Sequence, residues 1–207
     1  VDTYGFTTLL GGNTYRLTGP VTIGSGYLKV LESHAGSTAI LDLNGYTLTI
    51  KNPPSADLPY YNGSSGSGGV GNLPKDTSPA GIIVFSKVDF ASLQYQLTLT
   101  DSSTDKTGVL DVQGANAVGI YVGRNCILNI EGGTITNSTV NNPTGTGVKT
   151  VLGTVNMNGG SIKNQATGVK LNGGTFNMTS GTIENCADGG VLADMAYTDN
   201  KANTQAS

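Results

Sequence analysis

Apolar and polar residues alternate along most of the chain in short stretches that end at glycine or asparagine. Three stretches align with one another, residues 127–137, 155–164 and 176–185, and each contains Gly followed by Thr or Ser, Ile, one variable residue and Asn. The steps from Gly133 to Gly160 and from Gly160 to Gly181 are 27 and 21 residues. Repeats of this size are typical of the coils of a β-solenoid.

The alternation predicts which side chains point toward the core. Each repeat contains two short strand-like stretches, and a further one that begins with glycine precedes it. Each coil is therefore expected to hold three short strands. Three inward columns follow from the alignment: Leu128, Val155 and Phe176; Ile130, Met157 and Met178; and Ile135, Ile162 and Ile183. The predicted fold is all-β, a right-handed parallel β-helix of about five coils, stabilised by stacking because a single coil cannot bury its apolar face.

The repeat continues upstream in a weaker form. Residues 97–101 and 108–112 match the same two strands, and residues 40–50 alternate around Asn44-Gly45. We therefore predict an N-terminal cap at 1–30 and a β-helix at 31–193, with an insertion rich in Gly, Ser and Pro at 52–80. Residues 194–207 are polar, and are expected either to cover the last coil or to begin a further part of a longer parent chain.

The repeats resemble the pectate-lyase-like β-helix repeats of large bacterial surface proteins. The stretch Leu41-Asp-Leu-Asn-Gly-Tyr-Thr-Leu-Thr49 and the Gly-Gly-Thr-Ile-x-Asn units carry this resemblance, which covers most of residues 15–192. It implies a secreted or cell-surface location and a longer parent chain with further domains. Members of this group include adhesins, glycan-active enzymes and stalk modules, so the resemblance alone assigns no activity.

Composition narrows the classes of partner. Glycine accounts for 31 of 207 residues, and the net charge is −3 with no run of Lys and Arg, which argues against nucleic acid. No apolar stretch is long enough to cross a bilayer, so no membrane insertion is expected. One histidine, His34, and two separate thiols, Cys126 and Cys186, predict neither a metal site nor a cofactor.

Two groups of residues are candidates for ligand binding. Asn129, Asn156 and Asn177 lie between two inward columns, so they are expected to form an outward polar row that can meet glycan hydroxyls or remain simply solvated. Tyr60 and Tyr61, in the insertion, can stack on sugar rings or pack against the side of the helix.

Other polar columns are interpreted as structural. Asn137, Asn164 and Asn185 end the same strand in three coils and are expected to form a ladder of hydrogen-bonded amides. Asp111, Thr136, Lys163 and Glu184 form a further outward column, in which Lys163 and Glu184 should make a surface ion pair.

The preferred functional hypothesis is a non-catalytic module that binds a host surface protein or a glycan. A polysaccharide lyase or glycoside hydrolase is the first alternative. The acidic and basic residues of this chain, however, do not gather in one groove of the predicted coils, as such an enzyme requires. An ice-binding solenoid is the second alternative, and the mixing of Thr with Asn, Lys and Glu in the columns argues against it.

Overall fold

A computed structural model of the chain describes residues 6–31, 37–55, 77–85, 94–139 and 144–194. All regular structure in these residues is β-strand. The strands are β1 (Phe6–Leu10), β2 (Thr14–Arg16), β3 (Val21–Ile23), β4 (Tyr27–Leu31), β5 (Thr38–Asp42), β6 (Thr47–Lys51), β7 (Ala80–Val84), β8 (Gln96–Thr100), β9 (Val109–Gln113), β10 (Val118–Val122), β11 (Ile127–Ile130), β12 (Thr134–Thr136), β13 (Thr146–Val151), β14 (Thr154–Asn172) and β15 (Thr175–Ala193).

The strands form three parallel ladders that the chain visits in turn. The first ladder contains β1, β4, β7, β10 and β13, the second contains β2, β5, β8 and β11, and the third contains β3, β6, β9 and β12. The long strands β14 and β15 bend at the corners and contribute to all three ladders. From β4 to β13, each strand pairs with the strand that lies three places earlier in the chain. This is the connectivity of a parallel β-solenoid.

The register of the ladders confirms the predicted alignment. Leu128 pairs with Val155 and Val155 with Phe176, while Ile130 pairs with Met157 and Met157 with Met178. Ile135, Ile162 and Ile183 form the third predicted column. The upstream stretches also pair as predicted, since Leu97 lies beside Leu128 and Leu110 beside Ile135.

The inward columns make one continuous apolar core. We call the strands of one coil a rung of the stack. Val155, Met157 and Ile162 are completely buried, and so are Leu128, Ile130 and Ile135 in the preceding rung. In the last rung the same columns emerge at the surface: Met178 is 44% exposed, and Phe176 and Ile183 are only half-buried. Each rung is thus buried by the next, and the described residues leave the final rung uncovered on one side.

A column of glycines occupies the second position of β10 and β13 and the matching position of β14. A Cβ atom on Gly119 would lie 2.4 Å from the Gly147 carbonyl oxygen and 2.8 Å from Ile135 Cγ2. On Gly147 it would lie 2.3 Å from Ile162 Cγ2, and on Gly168 it would lie 2.4 Å from Ile183 Cγ2. The first and third ladders meet at this corner, so only glycine fits there.

Residues 6–23 also take part in the ladders. Strands β1, β2 and β3 pair in register with β4, β5 and β6, respectively. The Asn44-Gly45 turn, with φ values of 47° and 80°, links β5 to β6. These two strands belong to different ladders, so the turn forms a corner of the coil. The predicted insertion at 52–80 lies mostly outside the described residues, and Ala80 already begins β7.

The side of the first ladder opposite the core carries a second apolar cluster. Ala80, Ile83, Val118, Tyr121 and Val151 form it, and their exposed fractions range from 0% to 8%. Half-buried lysines continue the same side of the ladder: Lys29 pairs with Ile83, and Lys149 and Lys170 follow Tyr121 in register.

Candidate ligand-binding face

The outer side of the second ladder carries a row of polar side chains, one from each of the strands β8, β11, β14 and β15. Thr98, Asn129, Asn156 and Asn177 are directly paired in neighbouring strands. Asn129 and Asn156 are half-buried, and Asn177 is exposed. We call this set the amide row. Its position between two inward columns agrees with the alternation in the sequence.

Hydrogen bonds run along the whole amide row. Asn177 Nδ2 donates to Asn156 Oδ1 at 2.9 Å, and Asn156 Nδ2 donates to Asn129 Oδ1, also at 2.9 Å. Asn129 Nδ2 donates to Thr98 Oγ1 at 3.5 Å, the longest bond of the row. All three amides therefore point the same way along the stack.

The asparagines predicted to form a structural ladder behave differently. Asn137 is buried, and its Nδ2 donates to the Gly114 carbonyl oxygen at 2.9 Å, while its Oδ1 accepts from Thr139 Oγ1 at 2.7 Å. Asn164 and Asn185 adopt left-handed backbone conformations, with φ values of 56° and 53°. No amide-to-amide bond joins these three residues in the described part of the chain. The ladder of amides lies in the outward row instead.

Two predicted features of other residues can be checked in part. Lys163 and Glu184 are neighbours in the third ladder, but no ion pair joins them. Lys163 is only half-buried and Glu184 is exposed, and two side chains in contact with solvent gain little from pairing, which accounts for the error. Tyr60, Tyr61 and His34 lie outside the described residues.

Two buried carboxylates organise the corner between the second and third ladders. Asp101 accepts hydrogen bonds from the backbone N–H groups of Gly45 and Gly108 at 2.8 and 2.6 Å, and from Ser103 Oγ at 2.7 Å. Burial alone would raise the pKa of Asp101, but these bonds to the ionised form outweigh it and hold the pKa below its usual value. The carboxylate is therefore ionised and fully engaged in structure.

Asp42 has the same character. It accepts from the backbone N–H and the hydroxyl of Ser102, at 2.9 and 2.7 Å, and from Arg16 Nε at 2.8 Å. Burial opposes ionisation, yet the bonds from Ser102, Arg16 and Asn44 lower its pKa overall. Sequence reasoning missed both aspartates as structural residues. The signal was the pairing of an acid with nearby serines, as in Asp101-Ser102-Ser103, which is typical of side chains that cap a turn.

A shallow groove adjoins the amide row at this corner. It has a volume of about 250 Å³ and lies across the turns 131–133 and 158–160. Its lining includes Lys106, Glu131, Thr134 and Ser161, with glycines between them. Glu131 Oε1 accepts from Asn158 Nδ2 at 3.0 Å, and these two residues follow Asn129 and Asn156 of the amide row by two positions in the sequence. We call it the corner groove.

Side chains that commonly bind metal ions do not cluster within the described ranges. No three His, Cys, Asp or Glu side chains gather there in a group that could hold a metal ion. Both cysteines are free thiols, and burial raises the pKa of Cys186 despite a backbone hydrogen bond from Gln165. The described part also contains no helix long and apolar enough to span a bilayer.

Comparison of the chain with protein-family models, with curated proteins and with solved structures found no match. The amide row and the corner groove are therefore interpreted from their own geometry.

Proposed function

We propose that this chain is a non-catalytic module of a bacterial secreted or cell-surface protein, and that it binds a glycan through the amide row. The observation that carries the proposal is the unbroken line of hydrogen bonds from Asn177 to Thr98. A host surface protein is the other ligand class considered, and adhesion is the role that either ligand would serve.

The chemistry of the row suits hydroxyl groups. An asparagine amide has two N–H donors and an oxygen with two lone pairs, and the ladder uses one donor and one lone pair of a central residue such as Asn156. One donor and one lone pair remain at each such rung. A sugar hydroxyl both donates and accepts, so it can use both. Rungs follow one another at about 4.8 Å, which presents these groups as a regular array.

The ladder also prepares the amides for binding. Immobilising a free side chain on association costs about 0.5–1.5 kcal/mol. Asn129 and Asn156 are already held by their neighbours and by partial burial, so most of that loss occurs on folding. A row of oriented amides therefore supports recognition more than a row of mobile ones.

The lowered pKa values of the buried aspartates Asp42 and Asp101 favour a binding role over a catalytic one. A glycosidase needs one carboxylic acid whose pKa is raised so that it can donate a proton. Asp42 and Asp101 show the opposite shift, and both are used by turn backbone groups and serines. A lyase or hydrolase whose site is completed by other parts of a longer parent is the alternative.

For the fold, we propose a right-handed solenoid of about five coils behind an N-terminal cap at residues 1–30. A right-handed crossover is the rule for parallel strands joined within one sheet. The pectate-lyase-like class of bacterial surface repeats remains the proposed affiliation, with further domains in a longer parent.

Glycan arrays followed by titration calorimetry test the function. Asn156→Ala removes the central amide and should weaken glycan binding about tenfold or more, whereas Thr22→Ala, on the exposed outer side of the third ladder, should leave it unchanged. Tyr60→Ala with Tyr61→Ala tests the predicted aromatic pair in the same titration. Absence of any glycan binding, together with turnover of pectin or another polyanion, would overturn the proposal.

A further inference from the structure

The corner groove has the dimensions of a site for one small ring. Binding pockets for drug-sized molecules usually measure about 300–1,000 Å³. At about 250 Å³ the corner groove falls just below that range, and it is open to solvent at the edge of the amide row. It therefore suits one unit of a longer ligand that continues outside it.

Glycines keep the floor of the groove bare. Gly133 and Gly160 have left-handed φ values of 83° and 73°, which other residues rarely adopt. A Cβ atom on Gly160 would also lie 2.6 Å from the Gly133 carbonyl oxygen. The turns are thus restricted to glycine by their own geometry, and the result is a side-chain-free surface on which the C–H face of a sugar ring can rest.

Polar groups with unused hydrogen-bonding capacity surround this floor. Ser161 Oγ is buried and has no hydrogen-bond partner within the described residues. Lys106 Nζ donates to the Asp101 carbonyl oxygen at 2.7 Å, which leaves two of its three donors. Glu131 uses one oxygen for Asn158 and keeps the capacity of the other. A buried hydroxyl without a partner is rare in proteins, and a ligand hydroxyl would satisfy it.

We propose that the corner groove binds a single neutral hexopyranose unit of the glycan that lies along the amide row. This inference rests on the proposed function and specifies its ligand class. The ring packs against the glycine floor, and its hydroxyls bond to Ser161, Lys106 and the Glu131 carboxylate. One positive and one negative side chain line the groove, so its lining has no net charge that favours a uronic acid, and Glu131 would repel a carboxylate placed beside it.

The test compares neutral and acidic oligosaccharides of equal length. Hexamers of glucose, mannose and galactose are titrated against the protein beside a galacturonate hexamer, at low salt. We expect at least one neutral hexamer to bind about tenfold more tightly than the acidic one. Glu131→Gln should narrow this ratio, because it removes the repulsion of the uronate carboxylate.

A serine variant separates recognition from folding. Ser161→Ala deletes a hydroxyl that has no partner in the free protein, so thermal stability should be kept while neutral-hexamer binding falls about tenfold. Ser180→Ala is the matched control, because Ser180 pairs with Asn158 in the last rung and does not line the groove.

Three results would contradict the inference in distinguishable ways. If Ser161→Ala and Glu131→Gln bind like the unaltered protein while Asn156→Ala does not, the corner groove is not a sugar site and the proposed function stands. Tighter binding of the galacturonate hexamer would overturn the neutral ligand class alone. If the unaltered protein binds none of the hexamers or array glycans, both the function and this inference fail.

Discussion

Asp101 ties together two neighbouring coils through one carboxylate. Its Oδ1 atom accepts from Gly45, in the preceding coil, and from Ser103, while Oδ2 accepts from Gly108. The pKa of Asp101 is lowered in the folded state, and an unfolded aspartate titrates at about 3.9. Its stabilising contribution is therefore fully present above about pH 4 and is lost as the pH falls through the folded-state pKa.

Replacing this carboxylate should reduce stability and change its pH dependence. In Asp101→Asn an N–H donor takes the place of one acceptor, so we expect a loss of about 1–3 kcal/mol at pH 7. The variant should also lose less additional stability than the unaltered protein between pH 5 and pH 2. Urea unfolding at several pH values measures both effects. Asp105→Asn, at an exposed position, is the control, and an equal response of the two variants would contradict the prediction.

The glycine column predicts a steric effect at one residue. Gly147→Ala places a Cβ atom against Ile162 Cγ2 and the Gly168 carbonyl oxygen, at 2.3 and 2.7 Å, so neighbouring rungs must shift. We expect a destabilisation of about 1–3 kcal/mol, the usual range for overpacking. Gly24→Ala, where a new Cβ atom meets nothing within 4 Å, should change stability by less than about 0.5 kcal/mol. Urea unfolding curves of the two variants measure this difference in the free energy of unfolding, and equal losses would contradict the prediction.

For single residues, the sequence predicts which side of the sheet a side chain faces better than it predicts the hydrogen-bond partner of that side chain. Alternation correctly places Asn156 outward and Met157 inward, because the strand period fixes the side. It does not reveal that Asn164 and Asn185 have left-handed backbones. The amide-to-amide bonds form in the outward column instead, although both columns consist of asparagines, because Asn137 is buried and bonded to the Gly114 carbonyl while Asn164 and Asn185 have left-handed backbones.

At the scale of elements, the neighbouring rungs determine how much the core residues of each strand contribute to the free energy of unfolding. Met157 and Met178 occupy the same inward column in adjacent rungs, yet Met157 is completely buried and Met178 is 44% exposed. Met157→Ala should cost about 2–5 kcal/mol, and Met178→Ala less than about 1 kcal/mol. Thermal or urea unfolding of the two variants measures the difference, and equal losses would show that the last rung is covered after all.

The strands that sequence analysis found most easily are those joined by the shortest turns. The repeats beginning at 127, 155 and 176 share one turn pattern, so they align directly. The turn that follows β8 runs from Asp101 to Gly108, and its greater length makes the upstream repeat weaker in the alignment. Strands β2 and β3 have only three residues each, which is too short for alternation to indicate that they pair with β5 and β6.

At the scale of the whole molecule, the solenoid predicts that a full coil can be removed more safely than part of one. Thr154 pairs with Thr175, so one coil here measures 21 residues. Deleting residues 154–174 joins Gly153 to Thr175 and preserves every inward column. Deleting only residues 154–163 sends later strands to the wrong ladders and exposes their apolar side.

We therefore expect the 21-residue deletion to retain a β-sheet circular dichroism spectrum and cooperative unfolding at a lower temperature than the intact chain. The shorter deletion should lose cooperative unfolding or aggregate. Equal stability of the two deletions would contradict a stack in which each coil contacts only its neighbours.

The amide row also determines how a linear ligand would move. Asn129 and Asn156 present the same groups one strand spacing apart, so a chain bound to them has several nearly equivalent placements. Each placement adds to the number of bound states, and the ligand can pass from one to the next by breaking only part of its contacts. A repetitive polymer would then diffuse along the stack before it escapes. Its residence time would grow with its length even though no single rung holds it strongly.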